Sequence, residues 1–134
     1  MAGPASFDAW ARPDLVLPLG GRTYPVRPPS VETGKTLMAC AVRAEINLGI
    51  VRGELSAELK ALIDAIKPGE HPALGDTYHQ LEAAGVDQVT IDRMAYYAVF
   101  YWAKGQEYAD WIAELLWSLE TDVSAGSSIA APKG

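Results

Sequence analysis

The sequence predicts a mainly α-helical single domain, a small α+β fold of about five helices preceded by an N-terminal β-hairpin. Three observations carry that expectation. Two short apolar runs meet at a pair of glycines near the N-terminus. Apolar residues recur at steps of three and four through most of the remaining chain. Capping and breaking residues then divide that stretch into helix-length pieces. With 134 residues, 49% of them hydrophobic, the chain can bury one core without disulfide or metal staples. The domain is expected over residues 1–120. The small, polar stretch from Thr121 to Gly134 is expected to be a disordered tail.

The hairpin comes first. Leu15-Val16-Leu17-Pro18-Leu19 and Arg22-Thr23-Tyr24-Pro25-Val26 flank Gly20-Gly21, which suits a two-residue turn with positive φ. That turn pairs Leu19 with Arg22, Leu17 with Tyr24 and Leu15 with Val26. Leu15, Leu17, Leu19, Tyr24 and Val26 then share the face to be buried. Pro18 and Pro25 fall where a missing N–H would have pointed away from the partner strand, so they block further pairing without breaking the ladder. A lone hairpin is marginal in water, so its apolar face must lie on helices.

The helices follow from their caps. Ser30 caps a helix running to about Arg52, with Gly53 as its end and Leu37, Ala41, Ala44 and Leu48 as its inner stripe. A shorter helix spans Ser56 to about Ile66, with Leu59, Leu62, Ile63 and Ile66 inward and Lys67-Pro68-Gly69 as the stop. Asp76 is placed to cap Thr77 to Ala84, closed by Gly85 with Val86 folding back behind it. The next helix runs from about Asp87 to Lys104. Gly105 separates it from a last one, Gln106 to Leu119, in which Tyr108, Trp111, Ile112, Leu115, Leu116 and Leu119 form the buried face.

Composition narrows the function. Seventeen acids against eleven bases give a net charge of −6, which repels nucleic acid. The longest hydrophobic run, Met94 to Ala103, is ten residues, about half of what a membrane-crossing helix needs. Met1 to Arg12 lacks the basic start and apolar stretch of a secretory signal. One cysteine, Cys40, excludes an internal disulfide and a multi-thiolate zinc site. A cytoplasmic location is expected.

Catalytic chemistry finds little support. Gly34-Lys35-Thr36 resembles the end of a phosphate-binding loop, but the glycine needed five residues earlier is Pro29. His71 and His79, near Glu70, Asp76 and Glu82, could form a metal or acid/base site, yet their eight-residue spacing matches no metal motif. Cys40 reads as a small core residue with Arg43 one turn away. No cofactor and no enzymatic activity are expected.

Aromatic crowding stands out instead. Tyr96, Tyr97, Phe100, Tyr101, Trp102, Tyr108, Trp111 and Trp117 place eight of twelve aromatic residues within 22 positions. On one helix, Tyr96 and Phe100 share a side while Tyr97 and Tyr101 share another, so a single core does not cover both. The alternatives are two packed faces, or one packed face and one surface for a partner's apolar helix. Tyr97, Tyr101, Tyr108 and Trp117 are the candidate partner-facing rings. Between Gln106 and Asp122 there are five acids and no base, which suits a solvated face or a basic partner.

Several segments together resemble the tail assembly chaperones of long-tailed, siphovirus-type bacteriophages, especially those of actinobacteria. They are Phe7-Asp8-Ala9-Trp10, then Leu17 to Tyr24 running through Pro28-Pro29-Ser30 to Gly34, then Leu74-Gly75-Asp76-Thr77-Tyr78, Gly85-Val86, and Trp102-Ala103-Lys104-Gly105 with Trp111. The resemblance implies a non-enzymatic protein that coats the hydrophobic, helical tape measure protein in the host bacterial cytoplasm until tail tube polymerisation. Such a protein is absent from the mature virion. The resemblance also implies a longer product made by ribosomal frameshifting, through which the tail tube protein is reached. Ala131-Pro132-Lys133 can be encoded over a slippery heptamer, which would make this chain the short form. A homo-oligomer is compatible with the role. The competing readings are a minor virion protein such as a head–tail connector subunit, and a small metal-binding enzyme using His71 and His79.

Overall fold

The computed structural model describes residue 11, residues 13–68 and residues 70–118. Gly20 and Gly21 set its first element. Their φ values of 59° and 78° belong to the turn type whose twist matches a hairpin, so β1 (Leu15–Leu19) folds directly back into β2 (Arg22–Val26). The register is the expected one, with Leu15 opposite Val26, Leu17 opposite Tyr24 and Leu19 opposite Arg22. Leu15, Tyr24 and Val26 are buried and Leu17 and Leu19 half-buried, while Val16, Pro18, Thr23 and Pro25 face solvent. The Arg22 guanidinium lies 4.8 Å from the Tyr24 ring centroid.

Among the described residues five α-helices follow: α1 (Val31–Asn47), α2 (Ala57–Asp64), α3 (Thr77–Ala83), α4 (Gln88–Lys104) and α5 (Gln106–Ala113). Ser30, Ser56 and Asp87 cap α1, α2 and α4 by accepting from the N–H groups of Thr33, Leu59 and Thr90. Gly85 closes α3 as expected: its own N–H reaches the Glu82 carbonyl, and the Val86 N–H reaches back to Leu81. Gly105, with φ of 99°, turns α4 into α5.

Four local expectations need correction. Helix α1 stops at Asn47, short of Arg52, because Gly49 takes the left-handed conformation. Its N–H bonds the Ile46 carbonyl and the Ile50 N–H bonds the Glu45 carbonyl, which completes the helix end before Gly53 is reached. The inner stripe of α1 differs too: Leu37, Ala39, Ala41 and Glu45 are buried, whereas Ala44 is half-buried and Leu48 is 37% exposed. Asp76 makes no side-chain cap, because the chain before α3 is already coiled by the Leu74 and Gly75 N–H bonds to the His71 carbonyl. Asp76 itself therefore has helical φ and ψ and lacks the extended conformation a cap requires. The last helix leaves α geometry at Ala113 and continues as a π-helical turn, Glu114–Ser118. Leu119 and the tail expected over 121–134 lie outside the described residues.

The core divides around α4. On one side, Leu15, Tyr24 and Val26 of the hairpin pack with Leu37 of α1, Ala73, Leu74, Leu81 of α3, and Ile91 and Ala98 of α4. On the other, Phe100 of α4 packs with Ala41 of α1 and with Tyr108, Ala109, Trp111 and Ile112 of α5. In α2 only Ile63 is buried, with Leu59, Leu62 and Ile66 half-buried.

The Thr90 hydroxyl and then the Thr90 N–H hold the Asp87 carboxyl below its ordinary value of 3.8. A lowered carboxyl contributes stability in full above the ordinary carboxylate range and loses it as pH falls through the lowered value. Asp87→Ala therefore reduces the thermal midpoint at neutral pH, and the gap to the native chain closes in strong acid. Melts of both chains across that range check the sign.

Candidate functional site

The aromatic residues of α4 alternate between its two flanks, and each flank borders an open groove. The first, of about 520 Å³, runs between β1 and α4 and is lined by every residue from Asp14 to Leu19 together with Arg93, Met94, Tyr97 and Tyr101. The second, of about 440 Å³, lies between α1, α4 and the segment from Ile66 to Ala73. Its walls include Leu37, Cys40, Ala44, Leu48, Ile66, Ala95, Tyr96 and Val99, with Arg43, Asn47, Glu70, His71 and Asp92 as the polar groups.

The four candidate rings do not converge on one surface. Tyr97 and Tyr101 line the first groove, with ring centroids 6.3 Å apart. The Tyr97 hydroxyl donates to Asp110 Oδ1 at 2.5 Å, tying α4 to α5. Burial, reinforced by that carboxylate, pushes the phenol above its ordinary value of 10.0. Trp117 stands edge-on to Tyr96 at 6.0 Å, and the Arg93 guanidinium lies 5.3 Å from its ring. Its position beside Tyr96 puts it near the second groove.

Tyr108 is a core residue, which removes it from the candidate partner-facing set. It is 8% exposed, stacks on Phe100 at 5.7 Å and meets Trp111 edge-on at 5.5 Å. Its hydroxyl donates to Glu45 Oε2, and Lys104 Nζ stands 3.9 Å from the same oxygen. Burial first, then the Glu45 carboxylate, pushes the Tyr108 phenol up. Glu45 was legible as an i+4 continuation of Leu37 and Ala41, but an acid on an apolar stripe needs a known partner before it can be placed inside. The phenol on the buried face of α5, which must find an acceptor, was the available signal.

The remaining candidates are scattered. His71 and His79 stand on either side of Tyr78, at 4.5 and 5.4 Å between ring centroids, and His79 Nδ1 lies 3.4 Å from Glu82 Oε1. Among the described residues no group of three or more His, Cys, Asp and Glu side chains could hold a metal ion. Cys40 is half-buried, and burial raises its thiol against a smaller opposing effect of Arg43. The Gly34 N–H is used inside the first turn of α1, on the Ser30 carbonyl. Among the described residues, no helix is long and apolar enough to cross a membrane. What the arrangement offers is apolar concave surface with charged margins.

The chain matches the domain of unknown function DUF7426 over residues 5–128 and belongs to that family. No curated protein and no solved structure matches it significantly.

Tyr108→Phe removes the hydroxyl donor from the buried Glu45 carboxylate, leaves Lys104 Nζ at 3.9 Å and lowers stability by about 2 kcal/mol, the scale of a lost hydrogen bond to a buried charge. Denaturant unfolding measures this. Because a raised phenol contributes stability below its ordinary value and loses it as pH climbs through the raised one, the native chain weakens in strong alkali. Tyr108→Phe loses less over the same interval.

Proposed function

We propose that this protein is a tail assembly chaperone of a long-tailed bacteriophage that shelters an apolar helix of the tape measure protein until tail tube subunits polymerise around it. It acts without chemistry of its own, in the host bacterial cytoplasm. The observation that carries the reading is the groove between α1 and α4. Its small side chains, Cys40, Ala44 and Ala95, allow a helix to approach closely, and Leu48, Ile66, Tyr96 and Val99 offer apolar walls on either side. Trp117, packed on Tyr96, extends that apolar margin.

The charge distribution supports the same role. Glu107, Asp110 and Glu114 are exposed along α5 and its continuation, and no Lys or Arg occurs from Gln106 to Ser118. A one-sign face keeps a protein with open apolar grooves soluble and favours a client with basic residues beside its apolar stripe. A slip at Ala131-Pro132-Lys133 would supply a longer form that carries the complex to the tail tube protein.

Leu48→Glu tests the groove without touching the core, since Leu48 is already 37% exposed. Co-expression of the native chain with the tape measure protein is expected to bring that protein into the soluble fraction. The variant is expected to leave it in the pellet while its own helical circular dichroism is unchanged. Equal solubility of the tape measure protein with and without this chain would overturn the reading.

A further inference from the structure

The groove between α1 and α4 carries a cation that its occupant must answer. We propose that Arg43 selects the client by pairing with a carboxylate that the bound helix carries within its apolar stripe, an inference that rests on the chaperone reading of this groove.

The position of Arg43 gives the first reason. Among the described residues it is the one Lys or Arg in the walls of the groove. It also lines a neighbouring hollow of about 350 Å³ between α1, α2 and the segment from Gly53 to Leu55, whose apolar walls include Ile46, Leu55 and Ile63. Asn47, one turn further along α1, lines both as well. The guanidinium therefore stands where two apolar hollows meet, and a helix laid along the groove comes against it. Its charge also reaches the apolar walls: burial raises the Tyr96 phenol and the Cys40 thiol, and Arg43 opposes the rise at both.

The lack of an internal partner gives the second. Among the described residues four acids line the two hollows, Glu70 and Asp92 in the groove and Glu54 and Asp64 beyond it. Asp92 Oδ1 accepts from Gln88 Nε2 at 2.8 Å, and Glu70 Oε1 accepts from the Lys67 N–H at 2.9 Å. No carboxylate among the described residues lies within ion-pair distance of Arg43, and no hydrogen bond between them holds its side chain. In the free protein this exposed guanidinium is left to water.

Filling the groove changes that balance. An apolar helix strips water from the cation, and a charge so stripped and left unpaired is strongly unfavourable. A carboxylate at the same point replaces the lost water with two parallel, charge-assisted bonds. A helix with one acid in its stripe is thereby favoured over one that is apolar throughout, and discrimination comes from the penalty on the wrong partner as much as from attraction to the right one. Bulk charge and a specific pair predict opposite effects here. On a chain of net charge −6, removing a base strengthens the general attraction for a client with basic flanks. If Arg43 holds an acid of the client, removing it weakens binding instead.

The test titrates the full chain with the isolated amphipathic helix of the tape measure protein and compares the native chain with Arg43→Gln and Arg43→Glu. Circular dichroism is expected to be the same for all three. Arg43→Gln is expected to bind about tenfold more weakly, and Arg43→Glu more weakly still. Changing the client's stripe acid to its amide is expected to cost the native chain the same factor and to cost Arg43→Gln nothing, which tests the pair without altering the fold of this chain. Replacing that acid by Lys is expected to recover binding to Arg43→Glu. Unchanged or tighter binding by both variants would overturn the proposal while leaving the groove as the client site. A bound helix with no acid in its stripe would do the same. No saturable binding by the native chain would overturn the chaperone reading itself, and this inference with it.

Discussion

Helix α4 must be buried on two sides at once, and the rest of the fold is arranged around that constraint. Ile91 and Ala98 belong to the core under the hairpin, Phe100 to the core under α5, and Tyr97, Val99 and Tyr101 touch both. No single layer can cover a helix that is apolar over so much of its circumference. The chain answers with the hairpin and α3 on one side and α5 on the other, while α1 gives Leu37 to the first core and Ala41 to the second. Fully buried Phe100 anchors the second set, and losing a ring of that size from a packed core costs about 3–5 kcal/mol. The two grooves are the gaps left where separate covering elements fail to meet over the same helix.

The polar tie between α1 and α5 is a consequence of the same arrangement. Tyr108 must lie inward to stack on Phe100, and its hydroxyl then needs an acceptor in a region that excludes water. Glu45 supplies it from α1, with Lys104 nearby from the end of α4. Three helices are thereby joined at one carboxylate. Such a group specifies how the helices sit on one another more than it adds to net stability, because its own desolvation offsets much of the attraction.

The hairpin was almost fully legible in the sequence, since glycine pairs, period-two alternation and proline placement are local rules and all agreed. Most helix starts were legible for the same reason: Ser30, Ser56 and Asp87 act within one turn of themselves. What was not legible depended on tertiary partners. Gly49 and Gly53 are equally good helix stops by composition, and the choice of Gly49 is seen only with Ile50 half-buried against the second core. The two rows on α4 could be read from spacing. Which ring faced a groove and which faced the core could not, because Tyr96, Tyr97 and Tyr108 have the same chemistry and differ only in what lies opposite. Glu45 illustrates the limit most sharply, since its burial is decided by a phenol 63 residues away.

The proposed role turns on whether the surface between α1 and α4 receives an apolar helix from another chain. Titration of the nitrogen-15-labelled protein with an isolated amphipathic helix of the tape measure protein, followed by amide shifts, tests that most directly. Saturable changes are expected at Cys40, Ala44, Leu48, Tyr96 and Val99, with the hairpin little affected. Changes confined to other surfaces, or none at all, would contradict it.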